Sequence, residues 1–165
     1  MDKYYTTVIL TSSVNIRSNK LIGDINKLIL SIIKKNNEGM CNKDGYILRD
    51  SIELIERSIG KIKTINNENL INYNITYKCN IITPSINDTF DCYVDSKNNA
   101  GIIAYIKIDA SDKLDSSPFI IIIPKEYIDE SVFNKININD KLNVLIKSFR
   151  IKYKSKFIQL VATLV

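Results

Sequence analysis

Histidine is absent from the 165 residues, and with it the commonest general base and a frequent metal ligand. Any catalytic reading must then rest on carboxylates, lysine, tyrosine or cysteine. Cysteine is scarce: Cys41, Cys79 and Cys92 show no C-x-x-C spacing and have no histidine to complete a zinc site. They are expected to be reduced thiols, and neither a metal nor a cofactor is expected. Long apolar runs are missing as well. Runs such as Phe119 to Ile123 fall far short of the roughly 20 residues of a membrane span, and Met1-Asp2-Lys3-Tyr4-Tyr5 lacks a cleavable signal pattern. The expectation is an intracellular, soluble protein with no membrane partner.

What is present suffices for a folded protein: 45% hydrophobic residues over this length can bury a core in one domain or two small ones. Lys and Arg number 23 against 18 Asp and Glu, a formal charge of +5 that favours an anionic partner. Isoleucine, asparagine and lysine are heavily used, as translation of an A/T-rich genome would produce, so part of that charge reflects composition. Its distribution is more informative. From Lys141 to the last residue there are six basic side chains, Lys141, Lys147, Arg150, Lys152, Lys154 and Lys156, and no acidic one.

Along the chain, Tyr5 to Val14 reads as a strand, with Asn15 to Lys20 as a loop. Leu21, Ile22, Ile25, Leu28, Ile29, Ile32 and Ile33 recur at three- and four-residue steps and predict an amphipathic helix of about four turns, ended by Asn36-Asn37 and Gly39. The segment Glu38-Gly39-Met40-Cys41-Asn42-Lys43-Asp44-Gly45 reads as an exposed loop needing at least one positive φ. Short strands are expected at 46–48 and 52–55, with Arg49-Asp50-Ser51 equally able to begin a helical turn. Asn66 to Asn69 is a polar break, and Tyr73 to Ile81 a half-buried strand stopped by Pro84. Pro, Ser, Asn and Asp cluster at Thr83 to Asn87, which places a domain boundary there and predicts domains of residues 1–84 and 85–165.

Five strands are expected beyond that boundary: Thr89 to Ser96, Gly101 to Ile108, Phe119 to Ile123, Leu142 to Lys152 and Phe157 to Val165. A possible helical turn lies at Lys125 to Asp129. Five strands with a long polar connection at Asp109 to Ser117 suit the five-stranded OB barrel that commonly binds oligonucleotides, although fold alone does not fix function. The predicted class is α+β, a helix with a small antiparallel sheet followed by that barrel.

Alternation along the fourth barrel strand would put Arg150, Lys152 and Lys154 on one face and Ile151 and Tyr153 on the other. Such a basic stripe, with Lys147 and Lys156, can track a phosphate backbone, while Tyr93, Tyr105, Phe149, Tyr153 and Phe157 are the rings available for base stacking. Two plainer readings account for the same residues. Lysines on an edge strand discourage sheet-to-sheet aggregation, and a ring in a strand more often packs in the core. The carboxylate pairs Asp129-Glu130, Asp109 with Asp112, and Glu53 with Glu56 have no histidine or glycine-rich phosphate loop beside them and read as surface charge.

Three stretches carry a family resemblance spanning most of the chain. Glu38-Gly39-Met40-Cys41-Asn42-Lys43-Asp44-Gly45-Tyr46-Ile47 resembles an E-G-x-C-x-x-x-x-G-Y-I tip loop, Gly60-Lys61-Ile62 a G-x-I turn, and Tyr73 to Pro84 an F-x-V-x-Y-x-x-x-x-x-x-P passage. These are similar to the stalk subunit of multisubunit RNA polymerases, which is the seventh subunit of eukaryotic polymerase II and has a direct counterpart in the archaeal enzyme. The glycines that follow the domain-joining proline in that family are replaced here by Ile86-Asn87-Asp88.

The resemblance implies a non-catalytic accessory subunit: a tip domain that docks on the polymerase core, and an S1-like barrel near emerging RNA. It makes Glu38, Gly39, Met40, Cys41, Asn42, Lys43, Asp44, Gly45 and Tyr46 the candidate docking residues. For RNA it leaves Lys147, Arg150, Lys152, Lys154, Lys156, Tyr105 and Tyr153. Implied partners are polymerase core subunits, nascent RNA and, as is usual in that family, a second helical stalk subunit. The divergence and composition look like versions carried by large cytoplasmic DNA viruses; a cellular protein would be expected in the nucleus, a viral one in the host cytoplasm, where the virion is a further candidate location. A free-standing OB or S1-type RNA-binding protein, and a viral interaction protein without nucleic-acid affinity, are the alternatives.

Overall fold

The computed structural model describes residues 5–165, so the signal-pattern reading of Met1 to Tyr4 lies outside the described residues. The protein is mixed α+β and mostly strand, with a five-stranded sheet and a closed five-stranded barrel. It divides into two compact units, Tyr5–Glu38 with Ile47–Ile81, and Gly39–Tyr46 with Ile82–Val165. The loop between helix and second strand therefore groups with the barrel.

In the first unit, strand β1 (Thr6–Arg17) is followed by a short 3-10 turn and helix α1 (Ile25–Asn37), then β2 (Tyr46–Ile47), β3 (Glu53–Arg57), β4 (Lys61–Ile65) and β5 (Glu68–Ile82). The long β5 organises the sheet. It pairs antiparallel with all of β1, from Thr6↔Ile81 to Arg17↔Leu70, and with β2, β3 and β4 along its other edge. Strand β1 runs three residues past the expected loop start. Its Val14 and Ile16 alternate into the core, and Asn72 Nδ2 donates to Ser13 Oγ at 2.6 Å and Asn15 Oδ1 at 2.7 Å.

Helix α1 starts at Ile25, four residues later than the periodicity of Leu21 and Ile22 suggests. Gly23 has φ +77°, Asp24 Oδ1 accepts from Asn26 N at 2.9 Å and Lys27 N at 3.3 Å, and Ile22 is left 82% exposed. An N-cap and a left-handed residue thus override apolar spacing. Ile29 and Ile33 are buried against Ile75, Tyr77 and Cys79 of β5. Strand β4 has no counterpart among the expected strands. It is exposed throughout and is joined to β5 by Asn66-Asn67, both with positive φ (50° and 61°), as a type I′ hairpin turn requires.

In the second unit, β6 (Thr89–Asn98), β7 (Gly101–Tyr105), β8 (Phe119–Pro124), β9 (Lys141–Arg150) and β10 (Ile158–Leu164) close in the order β10-β8-β7-β6-β9. Only β8 and β10 run parallel. That arrangement is compatible with an OB fold. Inward residues alternate along each strand, with Cys92, Val94, Phe119, Ile121, Val144 and Leu160 fully buried, and Phe90 meets Phe119 edge to face at 5.3 Å. The helical turn expected at 125–129 is a 3-10 turn at Lys125–Tyr127, and a separate helix, α2 (Glu130–Lys135), follows it between β8 and β9. Phe133 anchors it, and Lys97 Nζ donates to Phe133 O at 2.6 Å and Ile136 O at 3.0 Å, satisfying carbonyls at its C-terminal end.

Candidate docking loop and nucleic-acid interface

The loop after α1 is a built hairpin. Glu38 leaves the helix in extended conformation, and its Oε1 accepts from Ile52 N at 3.0 Å, so Glu38 serves its own unit's framework. Gly39 has φ 70°. Beyond it Cys41 and Tyr46 form an antiparallel bridge, closed by Asn42 N donating to Gly45 O at 2.8 Å. The Asn42 side chain stabilises the turn, its Oδ1 accepting from Asp44 N at 2.8 Å and Gly45 N at 2.9 Å. Thr83 Oγ1 donates to Asp44 O at 2.6 Å. Cys41, Gly45 and Tyr46 are buried, Met40 and Asn42 are half-buried, and Lys43 and Asp44 are exposed at the turn. Of the nine candidate docking residues, then, Lys43 and Asp44 present the most side-chain surface, with Met40 close by in sequence. Burial also pushes the Cys41 thiol up to about 11, which makes it inert rather than reactive.

The basic segment departs from its expected form. Strand β9 ends at Arg150, and residues 151–157 turn back to β10, with Lys154 at φ 61° and Ser155 N donating to Lys152 O at 3.0 Å. Arg150, Lys152 and Lys154 therefore do not share a strand face, because the chain turns where strand alternation would have to continue. Lys147 sits at a β-bulge: Ile146 faces Ala162 and Ser148 faces Val161, leaving Lys147 without an opposite residue. Lys147, Arg150, Lys152, Lys154 and Lys156 are all exposed, and Tyr153 is 69% exposed with Lys154 Nζ 5.5 Å from its ring centre.

The two candidate sites, assigned separate roles in the sequence, meet. Cys41 N donates to Ser155 O at 2.7 Å, and Lys154 N donates to Cys41 O at 2.8 Å. Cys41 is thus bridged to Tyr46 and hydrogen-bonded through its own N–H and carbonyl to the turn of the β9–β10 connection. No residue type signals such backbone pairing between distant segments.

Tyr105 is a correction. Only 6% of it is exposed, with its ring tilted against Tyr93 at 6.2 Å, so it offers no open face to a base. Beside it lies a cleft of about 210 Å³ lined by Tyr93, Lys107 and Lys141 among others. Lys107 Nζ stands 4.3 Å from the Tyr93 ring centre, and Lys141 pairs with Asp91 at 2.9 Å. The sequence singles out nothing at Lys107, whose one signal is its place two residues beyond Tyr105. Among the described residues no group of three or more His, Cys, Asp or Glu could hold a metal ion, and no helix is long and apolar enough to cross a membrane.

No protein-family model matches the chain, and no curated protein matches it.

Proposed function

We propose that the chain is a non-catalytic stalk-type accessory subunit of a DNA-directed RNA polymerase, docking on the polymerase core through the 39–46 hairpin and meeting nascent RNA through an S1-like barrel. The observation that carries this reading is the hairpin itself. The stretch resembling the stalk tip loop is folded as a rigid turn that shows Lys43 and Asp44 to solvent while Cys41, Gly45 and Tyr46 are buried. A rigid, exposed turn loses little entropy on docking. The OB-compatible barrel and its exposed lysines support the RNA half of the reading.

The test is affinity capture of the tagged full chain from cells that express it, followed by mass spectrometry. Co-recovery of the large polymerase subunits is expected, and a Met40→Glu/Asp44→Arg variant with unchanged circular dichroism should recover at least about tenfold less. A folded wild-type chain that recovers no polymerase subunit refutes the reading.

The exposed lysines of the barrel unit favour one second reading, a free-standing single-strand-binding barrel. It predicts nucleic-acid binding that the same double variant leaves intact and no polymerase in the capture.

A further inference from the structure

We infer that strand β1 is an interface to a second copy of this chain, two β1 strands pairing antiparallel about a two-fold axis at Ser12 so that the two sheets become one. The pairing involves the helix-and-sheet unit alone and is independent of the proposed function.

The first observation is an open edge. Strand β1 is twelve residues long and pairs with β5 alone, without a register shift. Backbone N–H and C=O groups of alternate residues point to opposite sides of a strand, so one side of β1 meets β5 and the other presents its row outward. Among the described residues, no backbone hydrogen bond joins residues 6–17 to any segment other than β5.

The second observation is a lack of protection. Sheet edges are blunted by charge, proline, bulges or short strands. The far side of this sheet has such devices: β3 is five residues long, has a bulge between Leu54 and Glu56 and carries Glu53, Glu56 and Arg57, while β4 carries Lys61 and Lys63. Strand β1 has none of them. Thr6 to Ile16 contains neither a charge nor a proline, Arg17 is paired with Glu68 at 3.1 Å, and Ile9 is 67% exposed.

The third observation, self-complementarity, selects a second copy as the occupant. A two-fold axis normal to the sheet sets residues of equal parity opposite each other, so the helix-covered face of one copy continues into that of the other. On this face β1 places Val8, Leu10, Ser12, Val14 and Ile16. Val14 and Ile16 are buried in the core, whereas Val8 and Leu10 are only half-buried at its margin. With the axis at Ser12, Leu10 faces Val14 of the second copy and Val8 faces Ile16 of the second copy. An axis at Thr11 would set Ser12 against Leu10, and one at Ser13 would set it against Val14. The register at Ser12 alone matches each of these apolar residues with another. On the opposite face it brings Thr11 to Ser13 and Arg17 to Thr7, with no like charges opposed. Such apolar and hydroxyl pairs stabilise an antiparallel ladder. Growth stops at two copies, because the edge left on each sheet is the one blunted by β3 and β4.

The test is analytical ultracentrifugation of the purified full chain over about a hundredfold range of concentration. The mass should rise from 18.9 kDa to twice that value and no further. Ser12 is exposed, so Ser12→Lys and Ser12→Glu should keep the wild-type circular dichroism. Each sets like charges against each other at the axis and should weaken self-association at least about tenfold. An equimolar mixture of the two variants should recover the dimer, a lysine then facing a glutamate. Thr64→Lys, which adds a charge on β4, should leave the dimer unchanged.

A wild-type chain that stays at 18.9 kDa throughout overturns the pairing, and so does a dimer that persists in both Ser12 variants. A mixture that remains monomeric while the wild type dimerises would show that position 12 does not meet itself, and growth beyond two copies would exclude a closed two-fold. Because these measurements use no polymerase, they stand or fall separately from the capture experiment.

Discussion

Replacing Gly101 by alanine should damage the barrel far more than loss of one glycine's freedom would. Gly101 opens β7 with φ +150°, and a Cβ there would stand 2.2 Å from the backbone oxygen of Ile123 and 3.0 Å from Lys125 N. That is roughly 1 Å inside ordinary van der Waals contact. The obstacle cannot swing aside, because it belongs to β8, which is paired to β7 through Ile102↔Ile123 and to β10 through Phe119↔Ile158. Backbone strain and overpacking together should cost about 4 kcal/mol, a large share of the roughly 5–15 kcal/mol typical of a domain. Asn139→Ala is the matched control in the same unit. Its φ is 70° and it is exposed, so only the left-handed backbone penalty applies, about 1 kcal/mol. Urea unfolding followed by tyrosine fluorescence suits a chain with nine tyrosines and no tryptophan. If Gly101→Ala loses no more stability than Asn139→Ala, the steric reasoning is wrong.

Asn67→Gly should stabilise the β4–β5 hairpin by roughly 0.5 kcal/mol, because Asn-Gly is the preferred pair for a two-residue turn with both φ positive, and a raised urea midpoint would report it. Asp24→Ala removes the acceptor for Asn26 N and Lys27 N and should cost about 1 kcal/mol, visible as loss of helical circular dichroism at a lower urea concentration. Burial raises the thiols of Cys41 and Cys79 to about 11 and that of Cys92 to about 12, against 9.0 when exposed. Unfolding lets them ionise sooner, so their contribution is complete below pH 9 and fades as pH rises towards 11 and 12. Cys92→Ala should flatten the alkaline fall in stability, and a slope unchanged from wild type would contradict the assignment.

Most of the strands are legible because β-branched runs bounded by turn residues announce them, as at Phe119 to Ile123 and Thr89 to Ser96. Helix α1 is legible from Ile25, Ile29, Ile32 and Ile33, but its start is not, since Asp24 capping after a left-handed Gly23 outweighs the spacing of Leu21 and Ile22. Strand β4 escapes because Lys61 to Ile65 buries nothing and exists through its hairpin with β5. Helix α2 escapes because a six-residue element with one buried residue, Phe133, has no period to read. In the candidate site the lysines are visible as composition. Their arrangement is not, because it depends on a positive φ at Lys154, a residue with no turn preference, and on backbone bonds to Cys41. Tyr105 has the two readings any strand aromatic has, and burial decides for the core.

Site-specific photocrosslinking is the most direct test of the docking proposal. A benzophenone amino acid in place of Asp44, whose side chain is exposed and whose backbone holds the turn through its N–H and carbonyl, would keep the hairpin intact. Irradiation of the chain in expressing cells should join it to a large core subunit of a multisubunit RNA polymerase, while the same group at the exposed Ile62 of β4 should not give that product. Crosslinks from position 44 to other proteins only, with the polymerase core absent, would contradict the proposal.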